Sequence, residues 1–156
     1  MIEIRQTLIP DFETVVQWIR SADECRLWCG TRVRFPVDLA GLPSAIEFAD
    51  CTSWTAITDE RIVAFGQLVP KPEERFHLSR LISAPDRRGT GLGRLITTHI
   101  LQEALARGPT SVSLNVFPEN APALSLYESL GFRVRTRPRD EPESPSLYMA
   151  YDGAGS

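Results

Sequence analysis

The most constraining feature of this 156-residue chain is a glycine-rich segment between a predicted strand and a predicted helix. In Arg87-Arg88-Gly89-Thr90-Gly91-Leu92-Gly93-Arg94 the three glycines alternate with other residues. Glycines let successive backbone N–H groups turn toward one point, and the N-terminus of the next helix adds partial positive charge. A few charge-assisted hydrogen bonds of about 1.5–3 kcal/mol each can hold a pyrophosphate. The segment therefore predicts an anion cradle.

Two known phosphate-binding motifs and a plain turn also place glycines between a strand and a helix. A P-loop needs Lys and then Ser or Thr after its last glycine, whereas Gly93 is followed by Arg94-Leu95. A Rossmann fingerprint places its third glycine three positions after the second, and here the glycines alternate. A plain turn into a helix needs only one or two of them. The P-loop fails, the Rossmann spacing does not match, and the plain turn stays as the alternative.

The rest of the pattern predicts one mixed α/β (α+β) domain over residues 1–156. A hydrophobic content of 42% with 24% charged residues is typical of a chain that buries a core. Residues 22–50 predict only short helical pieces and loops, because glycines and prolines interrupt them. The hydrophobic periodicity predicts strands over 2–5, 54–58, 61–69, 76–83, 111–116, 132–135 and 147–151, and helices over 11–19, 92–107 and before Gly131.

Charge and hydropathy exclude several classes of partner. The net charge of −3 disfavours nucleic acid, but residues 61–100 carry seven Arg and Lys against three acids, which suits a small polyanion. No apolar stretch approaches the roughly 20 residues that cross a bilayer, and the N-terminus lacks the order of a secretory signal. We therefore expect a cytoplasmic protein without membrane contact. The three cysteines are too few and wrongly spaced for zinc, so we expect no metal.

Two segments resemble motifs of the GNAT acyltransferase superfamily. Residues Arg88-Gly89-Thr90-Gly91-Leu92-Gly93 are similar to its Arg/Gln-x-x-Gly-x-Gly/Ala motif, and the preceding strand with its exit at Pro85 looks like the family's central strand. Asn120-Ala121-Pro122-Ala123-Leu124-Ser125-Leu126-Tyr127-Glu128-Ser129-Leu130-Gly131-Phe132 resembles Asn-x-x-Ala-x-x-Leu-Tyr-x-x-x-Gly-Phe. The resemblance is specific from about residue 76 to 134. It implies a GNAT-like mixed, splayed central sheet flanked by helices.

The resemblance also implies a function and a cofactor site. The function is transfer of an acetyl group from acetyl-CoA to a primary amine of a small molecule or protein, by direct attack through a tetrahedral intermediate. In such a fold the strand offers backbone groups to the pantetheine, the loop holds the pyrophosphate, and an asparagine at a helix start contacts the cofactor or caps the helix. The cofactor-binding residues implied are Leu81, Ile82, Ser83, Arg88, Gly89, Thr90, Gly91, Leu92, Gly93, Arg94 and Asn120.

Tyr127 is the predicted catalytic residue. A phenol whose pKa is near 10 can donate a proton to the thiolate expelled from the thioester, so the resemblance makes Tyr127 the general acid. The alternative is a core role, because Tyr127 shares a helical face with Ala123, Leu126 and Leu130.

The general base is the point at which this chain departs from the family pattern. Many relatives carry a glutamate at the position of Ser79 or of Asn115, and neither residue accepts a proton at neutral pH. His77 is a candidate base or a structural histidine, and His99 is assigned a structural role. Ordered water or the free-base fraction of the amine are further routes. The absence of a glutamate that could act as general base motivates a second hypothesis, a catalytically inactive module that binds coenzyme A.

The sequence indicates little about the acceptor substrate. Its specificity is expected from residues 20–37, 70–75 and 136–146, because loops carry specificity in most folds. An excess of acids before residue 61 either favours a cationic amine or belongs to solvated faces. These acids include Asp23, Glu24, Asp38 and Glu47. Both a monomer and a homodimer are compatible with the sequence.

Overall fold

A computed structural model describes residues 1–153 and contains a seven-stranded sheet, so the predicted mixed α/β class is confirmed. The strands are β1 (Glu3–Gln6), β2 (Thr52–Thr58), β3 (Arg61–Lys71), β4 (Arg75–Ser83), β5 (Ser111–Val116), β6 (Phe132–Val134) and β7 (Leu147–Tyr151). Their order is β1-β2-β3-β4-β5-β7-β6, and β4 and β5 are parallel whereas the other neighbours are antiparallel. The last residues of the predicted domain, 154–156, lie outside the described part.

Five α-helices surround the sheet within residues 1–153. They are α1 (Phe12–Val15), α2 (Ala22–Cys29), α3 (Leu42–Ala45), α4 (Leu92–Leu105) and α5 (Ala121–Leu130). The prediction of one helix over 11–19 is wrong, because α1 is a single turn flanked by 3-10 turns at Ile9–Asp11 and Val16–Trp18. Phe12, Val15 and Trp18 are all buried, and their spacing of three residues is the period of a 3-10 helix.

Hydrophobic cores lie on both faces of the sheet. On one face α4 and α5 pack on the strands through residues such as Ile96, Ile100, Leu114 and Tyr127. On the other face α1, α2 and α3 cover β3 and the end of β4 with Phe12, Trp28, Leu42, Ile46 and Phe65. Apolar burial on both faces of the sheet is the main stabilising contribution.

The strands β4 and β5 part in the middle of the sheet. Their pairing runs from Arg75 opposite Ser111 to Leu78 opposite Leu114 and stops there. Beyond that point β4 continues beside β3, and β5 continues beside β7. A bulge accompanies the separation, since the β3–β4 register shifts and Arg80 adopts a φ of +55°. The implied splay of the sheet is therefore present, and we call its first unpaired positions, Ser79 and Asn115, the fork.

Neither a membrane-spanning helix nor a cluster of metal ligands is found within residues 1–153. No helix in that range combines the length and the apolar character that a bilayer crossing requires. The described part of the chain also contains no group of three or more His, Cys, Asp or Glu side chains arranged to bind a metal ion.

Candidate active site

The glycine-rich segment forms the entry to α4. Gly89 and Gly91 have φ values of +80° and +89°, a region that residues with a Cβ rarely adopt. The hydrogen bonds of α4 begin with Leu95 N–H, which donates to the Gly91 carbonyl at 3.0 Å, so the N–H groups of residues 91–94 have no intrahelical acceptor. Four consecutive donors at the start of a fourteen-residue helix suit an anion. We call residues 88–94 the cradle.

The two arginines of the cradle are exposed, and both contact other elements. Arg88 Nη1 lies 3.5 Å from a Glu24 carboxylate oxygen on α2. Arg94 Nη2 donates to Ser129 Oγ on α5 at 2.7 Å, which joins the two helices beside the cradle. Long arginine side chains at the surface can exchange such partners for a phosphate, because exposed ion pairs contribute only about 0–1 kcal/mol.

The end of β4 supplies the other part of the predicted cofactor site. Ile82 and Ser83 pair with Phe65 and Ala64 of β3, so one edge of this segment is occupied. The opposite edge faces the gap left by β5, because the β4–β5 pairing ends at Leu78. The backbone of Leu81, Ile82 and Ser83 therefore borders the open side of the fork, where an extended chain can add hydrogen bonds along the strand.

Asn120 and Tyr127 are brought to this region by α5. Asn120 occupies the N-cap position, but its side chain makes no capping hydrogen bond. Tyr127 is 8% exposed, and its ring packs edge-on against Phe132 with centroids 6.3 Å apart. Burial raises the pKa of the Tyr127 phenol, so the hydroxyl stays protonated at neutral pH. Tyr127 thus belongs to the apolar core and is also kept in the protonation state that an acid needs.

No side chain at the fork supplies an effective base. Ser79 is partly exposed, and Asn115 is exposed with its Oδ1 accepting from Arg137 Nη1 at 2.9 Å. His77 is buried, with Nδ1 2.7 Å from Ser113 Oγ and its ring stacked on Tyr148. Burial, followed by the charges of Lys71, Arg137, Arg80 and Arg75, lowers the pKa of His77 to about 3. This geometry supports the structural alternative for His77.

His99 also has a structural environment. Its ring lies edge-on to Trp54 with centroids 5.6 Å apart, and its Nε2 is buried without a hydrogen-bond partner in the described residues. It belongs to α4, whose inner face packs on the sheet.

Two arginines near the fork were missed by sequence analysis as site residues. Arg80 occupies the bulge, where Nη1 donates to Gln67 Oε1 at 2.6 Å and its carbonyl accepts from Trp28 Nε1 at 2.9 Å. Arg137 lies in the β6–β7 connection and reaches across to Asn115. The only signal for Arg137 was its position in the loop 136–146, and no sequence pattern marks the bulge at Arg80.

Three of the four acids singled out before residue 61 form ion pairs with nearby arginines. Asp23 pairs with Arg26 at 2.9 Å, Glu24 with Arg20 at 3.4 Å, and Glu47 with Arg32 at 2.6 Å. Their charges are therefore offset within the α1–α3 region. This arrangement supports the solvated-face alternative over recognition of a cationic amine.

Comparisons with known proteins agree with this geometry. The Acetyltransferase (GNAT) family matches residues 9–132 of the chain. A peptidyl-lysine N-acetyltransferase of Salmonella typhimurium is 31% identical over 139 residues, which are 88% of this chain and 87% of that protein. The ribosomal protein bS18-alanine N-acetyltransferase of the same organism is 38% identical over 80 residues. That match spans 50% of this chain and about half the length of the relative, 52%.

A solved structure with the same fold contains the cofactor. The PaiA N-acetyltransferase of Thermoplasma acidophilum, in complex with coenzyme A, superposes with a TM-score of 0.69 and 18% identity over 97% of this chain and 98% of that one. At this identity the likeness concerns the fold.

Proposed function

Because the chain belongs to the GNAT acetyltransferase family and is by that membership an acetyltransferase, we propose that it transfers an acetyl group from acetyl-CoA to a primary amine. The observation that carries the proposal is the cradle, where Gly89 and Gly91 with positive φ lead into the first turn of α4, whose N–H groups have no intrahelical acceptor. A pyrophosphate satisfies these donors and complements the helix dipole.

The residues around the cradle fit the rest of coenzyme A. In the proposal the backbone N–H groups of residues 88–94 hold the pyrophosphate, with Arg88 and Arg94 adding charge. The open edge of β4 at residues 81–83 binds the pantetheine arm, and the uncapped Asn120 side chain adds a contact at the start of α5. Acetyl-CoA supplies an activated thioester at the fork. The cradle, the open edge of β4 and Asn120 position this thioester for attack by the amine.

Tyr127 serves as the general acid in the proposed reaction. The amine attacks the thioester carbonyl, the C–N bond forms, and the C–S bond breaks with the electron pair on sulfur. Tyr127 gives its phenolic proton to that sulfur and regains a proton from the attacking amine through solvent. The raised pKa keeps Tyr127 protonated throughout the neutral range.

Deprotonation of the amine is proposed to occur before it binds. The fork residues Ser79 and Asn115 are not bases, and the pKa of His77 is far below that of an amine. The enzyme therefore draws on the free-base fraction of the amine. Initial rates should rise with pH through the pKa of the amine, without a fall below about pH 10 because Tyr127 stays protonated.

The cradle is tested by calorimetric titration of the purified protein with acetyl-CoA. Gly91→Glu places a carboxylate in the anion site and should abolish micromolar binding. Gly108→Glu is the matched control, since Gly108 has a φ of +65° at the other end of α4 and nothing within 4 Å of an added Cβ. Equal loss in both variants would point to helix strain, and absence of binding in the folded wild type would remove the proposal.

Turnover separates the enzyme from the catalytically inactive alternative. Acetyl-CoA-dependent release of free thiol is measured with a panel of primary amines. Release with at least one amine supports catalysis. Tight acetyl-CoA binding without release for any amine would assign the chain to the inactive coenzyme A-binding module.

A further inference from the structure

The face of the sheet opposite α4 carries an excess of positive charge at the fork. The cations that act on buried His77 are Lys71, Arg137, Arg80 and Arg75. Two of them are neutralised, because Lys71 pairs with Glu141 at 3.4 Å and Arg75 pairs with Asp140. Within residues 1–153, Arg80 and Arg137 contact only neutral groups. Neither guanidinium forms an ion pair with a carboxylate of the described residues.

Arg137 is the arginine that borders the acceptor side of the fork. Its Nη1 donates to Asn115 Oδ1 at 2.9 Å, and its Nη2 donates to the Ser146 carbonyl at 2.8 Å and to Ser146 Oγ at 3.2 Å. The guanidinium carbon lies 5.7 Å from the centroid of the Tyr148 ring, which is buried. These contacts hold the planar group in one orientation and leave Nε–H and one Nη1–H without acceptors in the described residues.

The Arg137 guanidinium is fixed in orientation, partly exposed and without a counter-ion. Such a group favours ligands that carry a negative charge. A carboxylate gains charge-assisted hydrogen bonds there, whereas a cationic group is repelled. The position matters because Asn115 is the first residue of β5 that no longer pairs with β4. A carboxylate bound at Arg137 therefore places the remainder of its molecule at the opening of the fork.

We propose that the acceptor is an amine that also carries a carboxylate, and that Arg137 is the residue that binds this carboxylate. This inference rests on the proposed acetyltransferase function and names its substrate class. The shared chemistry has two sources, a free amino acid with an acidic side chain or a peptide whose acidic side chain lies next to the reacting N-terminus. Arg137 acts as a specificity-determining residue and takes no part in proton transfer.

The test compares matched acceptors that differ only in the carboxylate. Glutamate against glutamine, both used as α-amides, represents free amino acids, and the dipeptide Ala-Glu against Ala-Gln, both used as C-terminal amides, represents acidic peptides, so the side-chain carboxylate is the only one present. Within each pair the amine is nearly unchanged, so a difference in kcat/KM reports on the carboxylate. The wild type should prefer the acidic member by about tenfold to a hundredfold in the pair that represents the true source.

Variants assign that preference to Arg137. Arg137→Gln keeps a donor for Asn115 but removes the charge, and should raise KM for the acidic acceptor about tenfold to a hundredfold with kcat retained. Arg137→Lys should restore part of the preference, because it keeps the positive charge but loses the planar arrangement of N–H donors. Arg139→Gln is the matched control, since Arg139 is an exposed arginine of the same loop for which no ion pair is found in residues 1–153. It should behave as the wild type.

The outcomes separate this inference from the proposed function. Turnover that is as fast with glutamine, Ala-Gln or a diamine as with the acidic acceptors overturns the role of Arg137 and leaves the acetyltransferase standing. Equal effects of Arg137→Gln and Arg139→Gln overturn it as well. If no amine turns over, calorimetry with glutamate and glutamine, with and without coenzyme A, decides. Binding of glutamate that is lost in Arg137→Gln supports the anion site at Arg137 even though the catalytic proposal has failed. If glutamate and glutamine bind equally, or neither binds, the role of Arg137 is overturned together with the acetyltransferase proposal.

Discussion

The cradle and the acceptor face differ in how they are built. The cradle consists of backbone N–H groups from seven consecutive residues, and its arginines Arg88 and Arg94 both have partners on other helices. The acceptor side depends on side chains from separate elements, and its cations Arg80 and Arg137 contact only neutral groups within residues 1–153. A backbone site is therefore specified by one short segment, whereas a side-chain site depends on how segments distant in the chain come into contact.

The strongest effect should come from a substitution that lowers the catalytic rate without changing binding at the cradle or at the acceptor face. Tyr127→Phe should lower kcat about 10²–10⁴-fold, because the leaving sulfur loses its proton donor, while acetyl-CoA affinity and acceptor KM stay unchanged. Steady-state kinetics and calorimetry measure the two quantities. Tyr151→Phe is the matched control, since Tyr151 packs on the same Phe132 ring with centroids 5.6 Å apart. A small change in kcat for Tyr127→Phe would assign Tyr127 to the core alone.

A change remote from both regions should lower stability without touching either binding step. Asp11 is buried and accepts from Arg5 at 2.7 and 3.0 Å and from Leu8 N–H at 2.8 Å. Asp11→Ala should reduce the free energy of unfolding by about 2–3 kcal/mol, because these donors lose their acceptor. Urea denaturation measures the loss. Glu13→Ala, an exposed acid on α1, should change little.

The contribution of Asp11 should depend on pH. Burial alone raises the pKa of Asp11, but the hydrogen bonds from Arg5 and Leu8 outweigh burial and lower it. A lowered folded-state pKa stabilises the protein above the unfolded value of about 4, and this stabilisation is lost as the pH falls through the folded value. The difference between wild type and Asp11→Ala should therefore shrink below pH 4. A constant difference between pH 7 and pH 3 would contradict the assignment.

A pair of glycines tests how tightly the sheet supports the cofactor edge. A Cβ at Gly66 would lie 2.5 Å from Leu81 Cδ2 and 2.6 Å from Ile100 Cδ1, so Gly66→Ala should destabilise by about 1–3 kcal/mol and also weaken acetyl-CoA binding through Leu81. At Gly93 the added Cβ meets Leu126 Cδ2 at 3.6 Å, an ordinary contact. Gly93→Ala should therefore be neutral or stabilise by up to about 1 kcal/mol. Thermal unfolding and calorimetry compare the two, and the same loss in both would mean that packing at Gly66 is not the cause.

The weakest effect concerns the independence of the two regions. Glu24 belongs to α2 on the acceptor side of the sheet, yet its carboxylate contacts Arg88 of the cradle. Glu24→Gln should free Arg88 for the pyrophosphate and tighten acetyl-CoA binding about two- to fivefold at low salt, with a smaller gain at high salt. Glu47→Gln, which removes the exposed pair with Arg32, should have no such effect. Unchanged affinity in Glu24→Gln would show that α2 does not influence the cradle.

Local patterns predicted the parts of the fold that depend on neighbouring residues. The hairpin of β2 and β3, the strand before the cradle, the glycine turn and α4 all follow from periodicity and turn residues within short windows. The first helix was overpredicted, because apolar residues at positions 12, 15 and 18 suit both an α-helix and a 3-10 helix. Packing on β3 decided between them.

Contiguous residues alone were enough to specify the mixed α/β class, the cradle and the place of Tyr127 on a helix, because the backbone preferences behind each of them are local. The splay of β4 and β5, the bulge at Arg80 and the meeting of Arg137 with Asn115 were decided only in the tertiary structure. Arg137 and Asn115 are 22 residues apart in the chain and are joined by a register that several strands set together. Such a contact depends on the pairing of the whole sheet, and no single segment encodes it.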